Sequence, residues 1–302
     1  MARILPYPGR FRLALLAAKI GRPFARLLPD PRLRAMIAMA PKRIPPVSRN
    51  DDPQSFAPIA PRKMRVALMT GCAQKALNTD INDATIRLLT RLGCEVVIAE
   101  GAGCCGALTH HMGKEDESHA TAAKNIRAWA AEMDGDGLDA IVINTSGCGT
   151  TVKDYGHMMK DDVELAGIAK AVSDKCVDVS ELLDDLDVES ILQPAPAEGC
   201  GKIAYHSACS LQHGQKIHDL PLRLLRQAGF DVVQPLNGHL CCGSAGVYNI
   251  LQPEMADELK ARKLDSLDKT GAQFVAAGNI GCITQLNRTD LPVRHTVQFI
   301  DW

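Results

Sequence analysis

From residue 64 onward, short apolar runs alternate with longer stretches in which apolar residues recur every three or four positions. "RVALMTGC" (Arg65 to Cys72), "EVVIAE" (Glu95 to Glu100) and "AIVINT" (Ala140 to Thr145) read as strands, being short and bounded by glycine and polar residues. Helical spacing fills the intervals, over "DINDATIRLLTRLG" (Asp80 to Gly93), with Gly93 as the C-terminal stop, and from about Glu115 to Met133. The order then recurs as "KIAYHSAC", a helix ending near "RQAGF", "DVVQPL", a helix from about Pro253 to Lys269, and "FVAAGN". Apolar strands separated by helices predict parallel sheets covered on both faces. The fold class is therefore α/β, with two tandem, pseudo-repeated, Rossmann-like parallel-sheet domains over 64–195 and 196–302. Residues 41–63, rich in proline and polar residues, read as a linker, so that 1–63 is a basic helical segment plus linker.

Eight cysteines occupy matching places in the two repeats. Cys72, Cys104 and Cys105 map onto Cys209, Cys241 and Cys242 with one offset of 137, and each CC pair is followed by glycine, Gly106 or Gly243. Each repeat closes with one more cysteine beside a glycine, Cys148 after Gly147 and Cys282 after Gly281, at an offset of 134. Ligands of open parallel sheets bind beyond the carboxyl ends of the strands. Cys72 ends the first strand, Cys104 and Cys105 follow the second and Cys148 follows the third, so four thiols are expected to converge at one sheet edge in each half. Thiolates select zinc, copper(I) or iron–sulfur clusters, and four are enough to hold a cluster. Gly103, Gly106, Gly147 and Gly149, and in the second half Gly238, Gly243, Gly246 and Gly281, would let the backbone come close to a bulky inorganic core and donate N–H bonds to its sulfurs.

The bulk composition narrows the setting of those thiols. Eleven cysteines, an odd number with no convincing secretory signal, fit metal-bound thiolates in a reducing compartment better than a disulfide framework. Residues 1–50 carry eleven Lys/Arg against Asp30 alone, a balance of +10, which leaves −11 for the rest of a chain whose net charge is −1. No nucleic-acid motif accompanies this basic segment. Its longest apolar run, "LALLAA", is too short to span a bilayer and poor as a signal core. Leu13, Leu16, Ile20, Phe24 and Leu27 keep a roughly helical period, which favours basic helices packed by this stripe on the rest of the protein. Docking of the same face on a membrane surface or a partner is the alternative.

"GCAQKALNTDINDAT", "GCCGALTHH", "TSGCGTTVKDYGHMM", "HLCCGSAGVYNILQPE" and "NIGCITQ" carry a family resemblance. With their surroundings they make residues 20–302 similar to the cysteine-rich CCG-domain proteins, a group that includes the B subunit of heterodisulfide reductase. The chain most resembles the iron–sulfur subunits of glycolate oxidase (glycolate dehydrogenase). The resemblance implies a cytoplasmic electron-transfer subunit, with peripheral contact at the inner face of the cell membrane as a further option. A flavin-containing glycolate oxidase subunit would oxidise glycolate to glyoxylate, and this chain would pass the electrons toward the quinone pool through up to two [4Fe-4S] clusters. It would have no substrate site of its own. A lactate-oxidising assembly uses related proteins, so glycolate rests on the family match.

Two departures from the family pattern bear on this. Such subunits usually begin with a ferredoxin-like domain carrying two Cys-x2-Cys-x2-Cys-x3-Cys-Pro runs, and this chain has none. A truncated product, a misplaced start and a split subunit completed by a separate ferredoxin-like chain all fit that boundary. The full motif of heterodisulfide reductase also ends in Cys-x2-Cys, where this chain has Thr145 and Asn279 at the first position. That argues against a five-thiolate cluster and a thiol–disulfide reductase, and for four thiolates per half.

The rival for the eight cysteines is structural zinc. Against it, the close Cys-x2-Cys knuckles of zinc sites are absent, and adjacent Cys104 and Cys105 cannot easily serve one tetrahedral ion. Cys94, Cys176 and Cys200 fall outside the repeat and read as core. His110, His111, His206 and His239 lie near the cysteines and read as loop histidines before cluster-bonding ones, and "KDYGH" (Lys153 to His157) as packing and cluster electrostatics, not catalysis. No phosphate loop, flavin site or Ser/His/Asp set stands out.

Overall fold

All six predicted strands form in the computed structural model, which describes residues 1–192 and 201–301. The first sheet contains β1 (Gln54–Phe56), β2 (Met64–Met69), β3 (Cys94–Ile98), β4 (Ala140–Ile143) and β5 (Cys176–Asp178), in the order β1-β3-β2-β4-β5. The second contains β6 (Ile203–His206), β7 (Val232–Val233), β8 (Phe274–Ala277) and β9 (Val293–His295), in the order β7-β6-β8-β9. Without β1 the two orders are the same, and every pairing among those eight strands is parallel. The chain is thus a duplicated, doubly covered α/β fold, as the alternation of apolar runs requires.

The alternation along β2 shows the covering directly. Val66 and Leu68 point into an apolar core that continues across both halves, where it takes in Tyr205, Leu224, Val275 and Phe299. Ala67 and Met69 point the other way, into a core built with Ile126, Trp129, Tyr155 and Val172. The helix Asp80–Arg91 buries Ile81, Ala84, Leu88 and Leu89 at helical spacing and carries Asp80 and Asp83 in its first turn, against the positive end of its dipole. Gly93 ends it at φ +91°, where a Cβ would stand 2.5 Å from the Pro61 carbonyl oxygen. The halves are stitched at a distance in sequence: the helix Thr296–Ile300 packs on Asp80–Arg91, and Asp301 accepts from Arg87 Nε at 2.6 Å and Arg91 Nη2 at 2.8 Å.

Two expectations need correction. Within the stretch read as a linker, residues 54–56 form β1, an antiparallel edge strand on β3, and Asp51 is buried with its carboxylate accepting from Asn82 Nδ2 at 2.7 Å. The N-terminal helix Pro8–Gly21 is also turned differently from the packing expectation. Leu15, with Phe11 and Ala18, faces Ala40, Ala76, Ile44 and Leu77, whereas Leu13, Leu16, Ile20, Phe24 and Leu27 are 49–79% exposed. The small contact surface offered by Ala76 and Leu77 takes the narrow Phe11–Leu15–Ala18 row. Arg12 anchors the helix by donating to the Lys75 carbonyl at 3.0 Å and to that of Pro45. Among the described residues no helix is long and apolar enough to cross a membrane.

Candidate metal centres

The central strands β3, β2 and β4 are neighbours, so their carboxyl ends open side by side. Cys72 lies just beyond β2, Cys104 and Cys105 lie beyond β3, and Cys148 sits in the helix Ser146–Lys153 that β4 runs into. Their thiols are neighbours in a row, Cys72 beside Cys104, Cys104 beside Cys105 and Cys105 beside Cys148, each perturbing the next. The Gly106 N–H donates to Cys104 Sγ at 3.5 Å and the Ala107 N–H to Cys105 Sγ at 3.4 Å. Its neighbours Cys105 and then Cys72, aided by the Gly106 N–H, pull the Cys104 thiol well down. Cys72 and Cys105 are pushed up, first by their neighbour Cys104 and then by burial and further thiol contacts.

Two neutral side chains clamp this loop from behind. Asn125 donates to the Cys104 carbonyl at 2.8 Å and accepts from the Gly103 N–H at 2.7 Å, while the Tyr155 hydroxyl donates to the Cys105 carbonyl at 2.8 Å. Gly106 turns the loop at φ +85°, and Ser118 fills the space a Cβ would need.

The second half repeats the row in the same order. Cys209 lies beside Cys241 and Cys241 beside Cys242, each perturbing the next, and Cys242 is hydrogen-bonded to Cys282, the two sulfurs 3.2 Å apart. The Gly243 N–H donates to Cys241 Sγ at 3.3 Å. Cys241 is pulled well down by its neighbours Cys209 and then Cys242. Cys282 is pulled down, mainly through its hydrogen bond with Cys242, while Cys209 and Cys242 are pushed up, first by their neighbour Cys241. Here the clamp is charged. Lys263 is fully buried and donates to the carbonyls of Asn237 at 3.3 Å and Gly238 at 3.1 Å, and burial lowers its pKa.

Of the other glycines singled out by sequence, Gly103 and Gly238 serve those clamps. The Gly281 N–H donates to Asn279 Oδ1 at 3.2 Å, and Gly149 follows Thr145 in the first turn of its helix. Gly147 lies at the junction of the halves, its Cβ position 3.8 Å from Asn279 Nδ2, and Gly246 reaches His111 across that junction. There the hydroxyls of Ser146 and Ser210 are 2.7 Å apart, and Gln215 Nε2 donates to the Ser146 carbonyl at 3.0 Å. Thr145 and Asn279 are the N-caps of the helices that carry Cys148 and Cys282.

Among the remaining candidates, Cys94 and Cys176 are buried in the two cores and Cys200 lies outside the described residues. His239 is exposed, whereas His206 is buried beside Cys242 and Cys282. Sequence reading passed over Asn125 and Lys263, whereas Tyr155 lies in the "KDYGH" stretch read as packing and cluster electrostatics. Lys263 left a trace, a charged residue on the inward face of its helix, but Asn125 left none.

Four thiols in a row, sulfurs receiving backbone N–H bonds and water held out by burial suit a polynuclear iron–sulfur group. The vicinal pairs suit a single tetrahedral ion poorly.

The cysteine-rich domain family (CCG) matches residues 66–153 and 203–287. The chain is 35% identical over 304 residues to the glycolate oxidase iron-sulfur subunit of Escherichia coli, a match covering all of this chain and 70% of that protein. It is 32% identical over 262 residues to the probable glycolate oxidase iron-sulfur subunit of Bacillus subtilis, covering 86% of this chain and 57% of that protein. Lactate utilization protein A of Anoxybacillus flavithermus is 28% identical over 237 residues, covering 76% of this chain and 95% of that protein.

Proposed function

The chain belongs to the cysteine-rich CCG-domain family, and from that premise we propose that it is the iron–sulfur subunit of an oxidase or dehydrogenase complex acting on a 2-hydroxy acid, with glycolate as the favoured substrate. The observation that carries the reading is that four cysteines stand in the same order on the strand ends of both halves. Cys72, Cys104, Cys105 and Cys148 would hold one [4Fe-4S] cluster, and Cys209, Cys241, Cys242 and Cys282 the other. A bound cluster supplies reversible storage of one electron.

The chain's own groups tune and protect that storage. N–H bonds from Gly106, Ala107 and Gly243 spread negative charge off sulfur. Gly147 and Gly281 keep the first turns of the ligand-bearing helices free of side chains beside the pockets. Burial of Cys105, Cys242 and Cys282 excludes water from the inner end of each row. A flavin-containing partner would oxidise glycolate to glyoxylate, and the electrons would leave toward the quinone pool, with a separate ferredoxin-like chain as a further partner. A cytoplasmic site of action fits thiols kept free of disulfides.

Anaerobic purification with iron, sulfide and zinc analysis, together with EPR of the dithionite-reduced protein, tests the reading. Iron and sulfide in equal amounts are expected, and Cys105→Ser or Cys242→Ser should each halve them. Stoichiometric zinc without iron would sink it. Lactate is the second substrate reading, favoured by the likeness to lactate utilization protein A. Adding either acid to the assembled complex and watching which one reduces the centres separates the two. A disulfide reductase is disfavoured, because helix caps stand where a fifth thiolate would be needed.

A further inference from the structure

His206 ends β6 where Met69 ends β2: the two differ by 137 residues, as the cysteines do, and they occupy the same place in the ladders, Met69 opposite Ile143 and His206 opposite Ala277. In the first half this place is filled by an inert thioether inside the apolar core with Cys105. In the second it holds an imidazole that is 1% exposed, whose two ring nitrogens make no well-formed hydrogen bond and which stands close enough to Cys282 to lower its pKa. A buried imidazole ordinarily has a partner on at least one nitrogen, and an orphaned one calls for an ion or a water in reach of it. Its ring nitrogen and the sulfurs of Cys242 and Cys282 lie within 4.8 Å of one another, the one such trio among the described residues.

We propose that His206 is a metal ligand, so that the second centre is a mixed thiolate–imidazole site and the first is bound by thiolates alone. The proposal rests on the iron–sulfur reading and changes its donor set in one pocket only: four terminal ligands fill a [4Fe-4S] cluster, so the imidazole would stand in for one of the four thiolates. An imidazole brings no negative charge, and the buried Lys263 ammonium lies behind the same pocket, so the two centres differ in net charge environment although their thiols are arranged alike. Two unlike centres give the relay a direction that two equal ones would lack.

The test uses the holoprotein with Cys105→Ser silencing the first centre, grown with 14N- or 15N-histidine and examined by electron–nuclear double resonance after dithionite reduction. A strongly coupled nitrogen that changes with the isotope is expected. It should vanish, and the midpoint potential should shift, in His206→Met, which copies the first half, while His239→Ala leaves both unchanged. Iron and sulfide present without a strongly coupled nitrogen would overturn the ligand assignment and leave the cluster reading intact. A nitrogen that survives His206→Met would overturn it as well. Absence of iron from the Cys105→Ser protein would overturn both. Should His206→Met fail to hold iron, the isotope comparison on unaltered His206 decides alone.

Discussion

The Ser146 N–H donates to the Gly278 carbonyl oxygen at 3.0 Å, bonding the turn that leads to Cys148 to the turn that leads to Cys282. The two thiol rows are therefore mounted on one junction, which Ser210 and Gln215 reinforce from the second half. Strain or slack introduced at one row has a short covalent and hydrogen-bonded path to the other.

Gly243 and Gly106 make the same turn but have different room. A Cβ on Gly243 would stand 2.4 Å from the Ala256 carbonyl oxygen at φ +86°, whereas one on Gly106 would meet Ser118 at 3.0 Å and beyond. Gly243→Ala should cost about 3 kcal/mol and Gly106→Ala about 1–2 kcal/mol. Urea unfolding with iron analysis checks this, and equal losses would contradict it.

Tyr155→Phe removes the donor to the Cys105 carbonyl and the acceptor for Asn125 Nδ2 at 3.0 Å. A loss of about 1–2 kcal/mol is expected from the broken buried bonds. The EPR line shape of the first centre should change while that of the second stays. A change in the second alone would show the clamp to be wrongly placed.

Asp178 caps the helix Val179–Asp185, accepting from Ser180 Oγ at 2.6 Å and Ser180 N–H at 2.9 Å, yet burial raises its pKa from 3.8 to about 6. Glu181 raises it further and Lys153 opposes. The folded state thus holds the proton more tightly than the unfolded chain. Its contribution to stability is full below about pH 4 and is lost as pH rises through about 6, roughly 3 kcal/mol in all. Asp178→Asn, which keeps a capping oxygen, should flatten that part of the stability curve. An unchanged slope between pH 4 and 7 would show that Asp178 does not titrate there.

On the first helix, Leu15→Ala should cost about 2 kcal/mol, because the side chain is 6% exposed against Ala40 and Ala76. Leu16→Ser, at a half-exposed position, should stay within about 0.5 kcal/mol. Thermal unfolding of both variants decides which stripe of the helix is inward.

The strands β2, β3, β4, β6, β7 and β8 and the placement of the cysteines on their ends were legible because both depend on local signals, apolar runs and a repeated spacing. β1, β5 and β9 are three-residue strands, too short to carry a period, and β1 hides in a proline-rich stretch because an edge strand needs only one partner. The facing of the first helix was misread because Leu13–Leu16–Ile20 and Phe11–Leu15–Ala18 both satisfy a helical period, and only the surface beneath decides between them. The repeat that aligned the thiols also aligned Met69 with His206, but a lone histidine gains meaning only once its nitrogens are seen to be orphaned.

The packing of Thr296–Ile300 on Asp80–Arg91, with Asp301 held by Arg87 and Arg91, has a consequence for biosynthesis. As the chain leaves the ribosome, the helix beside Cys72 emerges early, with one flank bare. That flank is covered only after residues 296–301 have been made. Assembly of the first pocket's scaffold therefore waits on the tail of the second half, and nascent chains halted before that point should expose this helix to chaperones and proteases.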